Sequence, residues 1–359
     1  MPTAAPTPLR RLLRWTGRTV LVLLLLTAII AGLLTVPAVQ TRVAGRLAAW
    51  ATEELGAEVR IGAIAFRPFS ELELRGVYIG DLHGDTLIAV DLLRVDGLQL
   101  STGRRHVQAR TLHLRNARFA LGIAPGDTTS NLTQLVDKLA GADTTAGADW
   151  TVRCGVVDIG ALHFTFHRAD SLPIPFGVDF AHVDVRGDRI RGHQFRAAGD
   201  SIGIHLEELA LSEHSGFRLD QLLGAAQVSP RGITIDHMRL RTPHSAISGR
   251  LRFTTPDWAA YSDFTSAVNM RLALDSSLVD FRDIAFFAPG LEGIELPIHI
   301  SGRVRGPVSE MKGRDLDIRF GERSHFRGHA ELTGLPDFAN TFMLVDVDEL
   351  RTMYTDLAA

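Results

Sequence analysis

The sequence predicts a mainly β protein: an elongated, curved, antiparallel-rich sheet that forms an open hydrophobic groove, preceded by a transmembrane helix and an amphipathic helix. Three observations predict it. Apolar and polar residues alternate with period two through most of the chain after Ala57. Short strand-like patterns recur, with a Gly or Asn at a fixed place in each. The first 56 residues instead hold an uncharged apolar run followed by a stripe of helical period. Two closed β-sandwiches are the competing arrangement, since the same alternation also builds them.

Composition narrows the function classes. The chain has 359 residues, 45% hydrophobic and 22% charged, which is enough apolar matter to fold. A net charge of −3 argues against a general nucleic-acid binder. Cys154 is the single cysteine, so neither an internal disulfide nor a thiolate metal cluster is available.

Residues 1–18 form a basic segment containing Arg10, Arg11, Arg14 and Arg18, expected on the cytoplasmic side. Thr19 to Val36 is uncharged and close to bilayer length, and is read as a transmembrane anchor. A cleavable signal peptide ending near Val36-Pro37-Ala38 is the rival reading. Over 37–56, Val39, Val43, Leu47, Trp50 and Leu55 make one helical stripe, and Gly56 is a natural stop. That helix either lies on a membrane, plugs the end of the following sheet, or is its first core helix.

Residues 57–359 form the β region, expected in the periplasm. Turn-forming runs such as "GDLHGD", "STGRR" and "PGDTTSN" separate the strands. Short helices are expected within a 128–140 insert, at Leu219–Leu223 and near Ile284–Phe287. Leu72–Ile79 and Leu112–Phe119 share the pattern L-x-L-R-[GN]-small-x-apolar. Gly76 and Asn116 tolerate a left-handed backbone, so each marks a bulge that returns the later residues to the same face. "ISGRLR" at Ile247–Arg252 and "ISGRVR" at Ile300–Arg305 repeat each other, and are read as strand starts that bend the sheet in a comparable way.

Signals for chemistry are weak. "GDSIG" at Gly199–Gly203 fits a nucleophile-elbow pattern, but alternation continues after Ser201 where a helix is required. His163 and His167 lie roughly 13 Å apart on a strand, too far to share a metal. Neither an enzyme activity nor a metal or cofactor is expected. "NLT" at Asn131 is read as a helix start capped by Asp127 or Ser130.

The Arg-flanked span running into "VPAVQTRVAGRLAAWATEELGAEVRIG" resembles the N-terminal part of the TamB proteins. So do "LELRGVYIGDLHGDTLIAVDLLRVD" and "LPIHISGRVRGPVSEMKGRDLDIRFGERSHFRGHAELTGLPDF" with "TFMLVDVDELRT". These are AsmA-like, repeating β-groove proteins, and the likeness is to the Bacteroidetes type. The resemblance implies a single-pass inner-membrane protein with its bulk in the periplasm. Its groove would pass phospholipids toward the outer membrane, in support of outer-membrane biogenesis. It implies as the alternative a scaffold for outer-membrane β-barrel proteins, acting with a TamA-like barrel partner. It also implies truncation at the C-terminus. The groove-lining candidates are Leu72, Leu74, Val77, Ile79, Leu112, Leu114, Phe119, Leu121, Phe164 and Phe166.

Overall fold

The computed structural model describes residues 37–67, 71–101, 103, 105–140, 150–257, 259–337 and 340–357. Seventeen strands among them form one sheet. The first nine are β1 (Val59–Arg67), β2 (Glu71–Gly80), β3 (Thr86–Asp96), β4 (Gln99–Ser101), β5 (His106–Ile123), β6 (Thr151–Arg168), β7 (His182–Ala198), β8 (Ser201–Glu213) and β9 (Arg218–Leu219). Then come β10 (Gln221–Ser229), β11 (Gly232–Arg241), β12 (Ala246–Thr254), β13 (Asn269–Asp280), β14 (Pro297–Gly306), β15 (Glu310–Phe320), β16 (Ser324–Thr333) and β17 (Phe342–Arg351). Helices are α1 (Pro37–Leu55), α2 (Asn131–Ala140), α3 (Phe264–Ala267), α4 (Phe281–Ala285) and α5 (Tyr354–Leu357).

Ladder pairings run in chain order from β1 to β17, with β4 attached beside β5 and β9 beside β8. Every pairing is antiparallel except β5–β6, where the chain returns through the α2 insert and pairs in parallel. The two end strands do not meet, so the sheet is open and elongated and is not folded into two sandwiches. Leu219–Leu223, expected as a helix, is instead divided between β9 and β10. The Ile284–Phe287 expectation corresponds to α4.

Two lines of bulges cross the sheet. The first skips Gly62, Gly76, Asp91, Asn116, Ala161 and Asp188 on six neighbouring strands. Gly76 and Asn116 have φ of 58° and 50°, as the left-handed reading requires. The Asn116 amide donates to Asp91 at 2.7 Å, tying two bulges together.

The second line alternates glycine with a large apolar residue, strand after strand. It reads Val157, Gly192, Leu206, Gly224, Met238, Gly249, Leu274, Gly302, Leu316, Gly328 and Val347. Gly249 and Gly302 flank Leu274 from its two neighbouring strands. They are therefore mid-strand, not at strand starts, and the repeated "ISGR" serves one shared purpose. A β-carbon at Gly249 would run into the Ala273 carbonyl oxygen, and one at Gly302 would lie 2.8 Å from that of Asp315. Their φ values, 150° and 133°, also favour glycine. Met238, Leu274 and Leu316 are buried in the space the glycines leave.

At the first edge α1 covers β1, but through only part of its predicted stripe: Leu55 packs in the cluster with Ala57 and Leu87, and Val43 is half-buried. The small Ala44 and Ala48 are buried while Leu47 and Trp50 are exposed, because a close helix–sheet approach selects the flat alanine face. The Thr52 hydroxyl accepts from the Val59 amide at 3.0 Å, fixing the helix to the sheet. Gly56 stops the helix with φ 59°, its amide donating to the Thr52 carbonyl.

The membrane-anchored part of the expected fold is corrected. Among the described residues no helix is long and apolar enough to cross a membrane. The 1–18 and 19–36 segments lie outside the described residues. The architecture is an open sheet fronted by one amphipathic helix, and the single-pass inner-membrane topology rests on no helix of this structure.

Gly249→Ala should lower stability by about 1–3 kcal/mol, since it forces a side chain into a strained backbone against a neighbouring carbonyl. Chemical denaturation of Gly249→Ala and Gly302→Ala measures this, and near-wild-type midpoints would contradict the steric account.

Candidate functional site

All ten predicted lining residues stand on one face. Ile79, Ile88, Phe119, Phe164 and Val185 form a cross-strand row. Leu74, Leu93, Leu114, Ile159 and Ile190 form another, as do Leu72, Val95, Leu112 and Val157. Val77 aligns with Val90, Ala117 and Leu162, and Leu121 with Phe166 and Val183. The bulges make this possible, because without them the rows on either side would face opposite ways.

The same face continues into the second half of the sheet. One row passes through Ile204, Ala226, Ile235, Leu251, Leu272, Val304, Gly313, Ala330 and Val345. Leu251, Leu272 and Val304 are only half-buried, so among the described residues no second layer lies over them.

The helices close the first end. Leu135 of α2 and Ala57 pack with Leu87, and Leu55, Ile79, Ile88 and Leu121 surround them. Ile79 and Leu121 are thus partly covered by the protein itself. Ser130 caps α2, its hydroxyl accepting from the Thr133 amide at 3.2 Å. Asn131 is buried, its amide donating to Asp81 and to the Ala120 carbonyl. At this end the sequon-like "NLT" builds a joint between helix and sheet.

An aromatic clasp joins three connecting segments, with Phe217 supplied by the β8–β9 turn. Phe176 stacks on Phe286 at 5.9 Å, and Phe217 meets Phe286 and Phe287 edge-on at 5.7 and 4.9 Å. The Val178 amide donates to the Phe286 carbonyl at 2.8 Å. This contact links the β6–β7 loop to the α4 insert between β13 and β14. On a flat sheet β7 and β13 would lie roughly 24 Å apart, at about 4.8 Å per strand. Nearby, Asp283 is buried and accepts from the Thr242 and Ser245 hydroxyls at 2.6 and 2.5 Å. These bonds hold the β11–β12 turn against α4.

Among the described residues the opposite edge has no such cover. β17 pairs with β16 alone, and all ten of its residues are exposed, including Phe342, Leu344, Val345, Val347 and Leu350. Sequence reading missed this edge, although "TFMLVDVDEL" carries the required alternation, because nothing in a single strand states whether a neighbour covers it.

The polar face of the first half is a ladder of alternating charge. Glu73 is buried between Arg75 and Arg94, at 2.6 and 2.8 Å. His113 and Arg189 approach Asp158, and His163 pairs with Asp184 at 2.9 Å. The Arg94 hydrogen bond holds the Glu73 carboxyl below its ordinary range, against the opposing effect of burial. Ser201 begins β8 and is followed by strand, not by a helix, so the nucleophile-elbow geometry is not formed. Burial pushes the Cys154 thiol up, away from thiolate chemistry.

Glu73→Gln should cost about 1–2 kcal/mol at neutral pH, the loss of charge-assisted hydrogen bonds on a mostly buried acceptor. Because the folded pKa is lowered, Glu73's contribution is complete above its ordinary 4.5 and fades as pH falls through the folded value. Denaturation of both proteins across that range should therefore show the gap closing on the acid side. A constant gap would assign the effect to packing.

Comparison of the chain with protein-family models, with curated proteins and with solved structures finds no match in any of the three.

Proposed function

We propose that this chain is an assembly scaffold that receives extended, amphipathic β-strands at the open edge of its sheet, such as those of nascent outer-membrane β-barrel proteins. The observation that carries this reading is β17, hydrogen-bonded on one side only and exposed along its whole length. Such an edge presents a row of unpaired backbone groups and recruits another strand by β-addition. Strands of membrane barrels run about 9–11 residues and alternate apolar with polar, which suits the ten-residue β17. A TamA-like barrel is the partner that the sequence resemblance supplies for this role.

The reading as an inner-membrane-anchored phospholipid conduit is not retained. No described helix supplies its anchor. At the end where lipid would enter, α2 and Ala57 occupy part of the apolar face.

The glycine ladder adds a selectivity rule. Val347 stands where the sequence of alternation next requires a small residue. An incoming strand with glycine opposite Val347 continues the ladder, whereas leucine there sets two bulky groups against each other.

A ten-residue peptide alternating valine and threonine, with a central glycine, should bind the chain in fluorescence anisotropy. Its central-leucine counterpart should bind about tenfold more weakly, a difference of roughly 1.4 kcal/mol. Replacing Val345 and Val347 with lysine should remove binding and leave the far-ultraviolet circular dichroism unchanged. Undiminished binding to that edge variant would overturn the scaffold reading.

A further inference from the structure

We propose that the polar face of the sheet carries a binding site for a phosphorylated saccharide, centred on Arg231 and Arg252 and independent of the strand edge. A shallow dish of 540 Å³ lies there, walled by Arg196, Arg231 and Arg252. That volume is in the usual range of small-molecule sites. No aspartate or glutamate lines it.

Three further observations point to a ligand. First, among the described residues these arginines form no ion pair or side-chain hydrogen bond. Arg189, Arg191, Arg250, Arg303 and Arg314 on the same sheet are paired with carboxylates, whereas Arg271 and Arg305, in line with Arg252, likewise form no ion pair among the described residues. Second, Arg252 stands directly opposite Arg271, and Arg271 opposite Arg305, on three successive strands. Like charges placed this way repel one another, and a counter-anion from outside relieves the repulsion.

Third, the floor is open without a backbone reason. Gly203 is in register with Arg196 on one side and Gln227 on the other. A β-carbon at Gly203 would meet nothing closer than 3.8 Å, and its φ is not positive. Mid-strand glycine of this kind marks close approach by another group.

The chemistry of the lining selects the class. Guanidinium groups fork onto phosphate oxygens. The hydroxyls of Ser201 and Thr234 both donate and accept, as sugar hydroxyls do, and the Ser229 hydroxyl, which donates to the Gly232 carbonyl, can accept. Flat anionic surfaces do not reach into a concave dish. The same chemistry, a phosphorylated polyol ring, comes either free or as a lipid headgroup.

Isothermal titration of the full chain with glucose 1,6-bisphosphate, glucose and inorganic phosphate tests this. The bisphosphate should bind at least about tenfold more tightly than phosphate, and glucose should not register. Arg231→Gln and Arg252→Gln should each weaken it by about tenfold or more. Gly203→Gln should abolish binding by filling the floor, while circular dichroism and the denaturation midpoint stay near wild type. Vesicles of phosphatidylcholine with phosphatidylinositol 4-phosphate, competed by the bisphosphate, would identify a lipid-linked source, and binding of the bisphosphate alone a free one. Equal affinity for inorganic phosphate, tighter binding of a polyglutamate peptide, or no effect of Gly203→Gln would each overturn the proposal.

Discussion

The architecture depends on one steric constraint: along a line crossing eleven paired strands, glycine alternates with a large side chain, so that Leu206, Met238, Leu274 and Leu316 each face a glycine on both neighbours. Only glycine adopts the backbone found at Gly249, Gly302 and Gly328, and only glycine leaves room for Leu274 and Leu316. A register shift accompanies most of these sites, so the ladder sets curvature and packing together. A sheet of this extent without a second layer has few other sources of cohesion. Its described hydrophobic clusters are small and sit in the first half, near α1, α2 and the first line of bulges.

The two edges follow from this in opposite ways. At β1 the alanine face of α1 lies against the sheet, and the row ends in a packed cluster. At β17 the row ends in exposed Val345 and Val347. The two edges therefore differ: α1 lies beside β1, whereas among the described residues no element covers β17. The charge pattern differs along the polar face as well. Signs alternate near Glu73, Arg94 and Asp158, whereas cations stand together from Arg252 to Arg305.

Much of the fold was legible in the sequence. Period-two alternation located the strands, and Gly76 and Asn116 announced the first bulge line because their neighbours otherwise change face. All ten lining candidates fall on one face for the same reason. The ladder is half visible: "ISGR" occurs twice, but its partner Leu274 lies on an intervening strand with no resemblance to either copy. Register between strands, not sequence within them, carries that information. The α1 stripe misled because hydrophobicity favoured Leu47 and Trp50, while the close approach to β1 required Ala44 and Ala48. The arginine cluster escaped notice because Arg196, Arg231, Arg252, Arg271 and Arg305 are far apart in the chain and meet only across the ladder.

The strict glycine–bulky order also limits how such a protein can change its length. Inserting or deleting one strand would bring two leucines, or two glycines, face to face, giving either a clash or a void. Growth or shrinkage by whole hairpins preserves the rhythm. Lineages carrying this ladder are thus expected to differ by even numbers of strands, with size varying in steps instead of continuously.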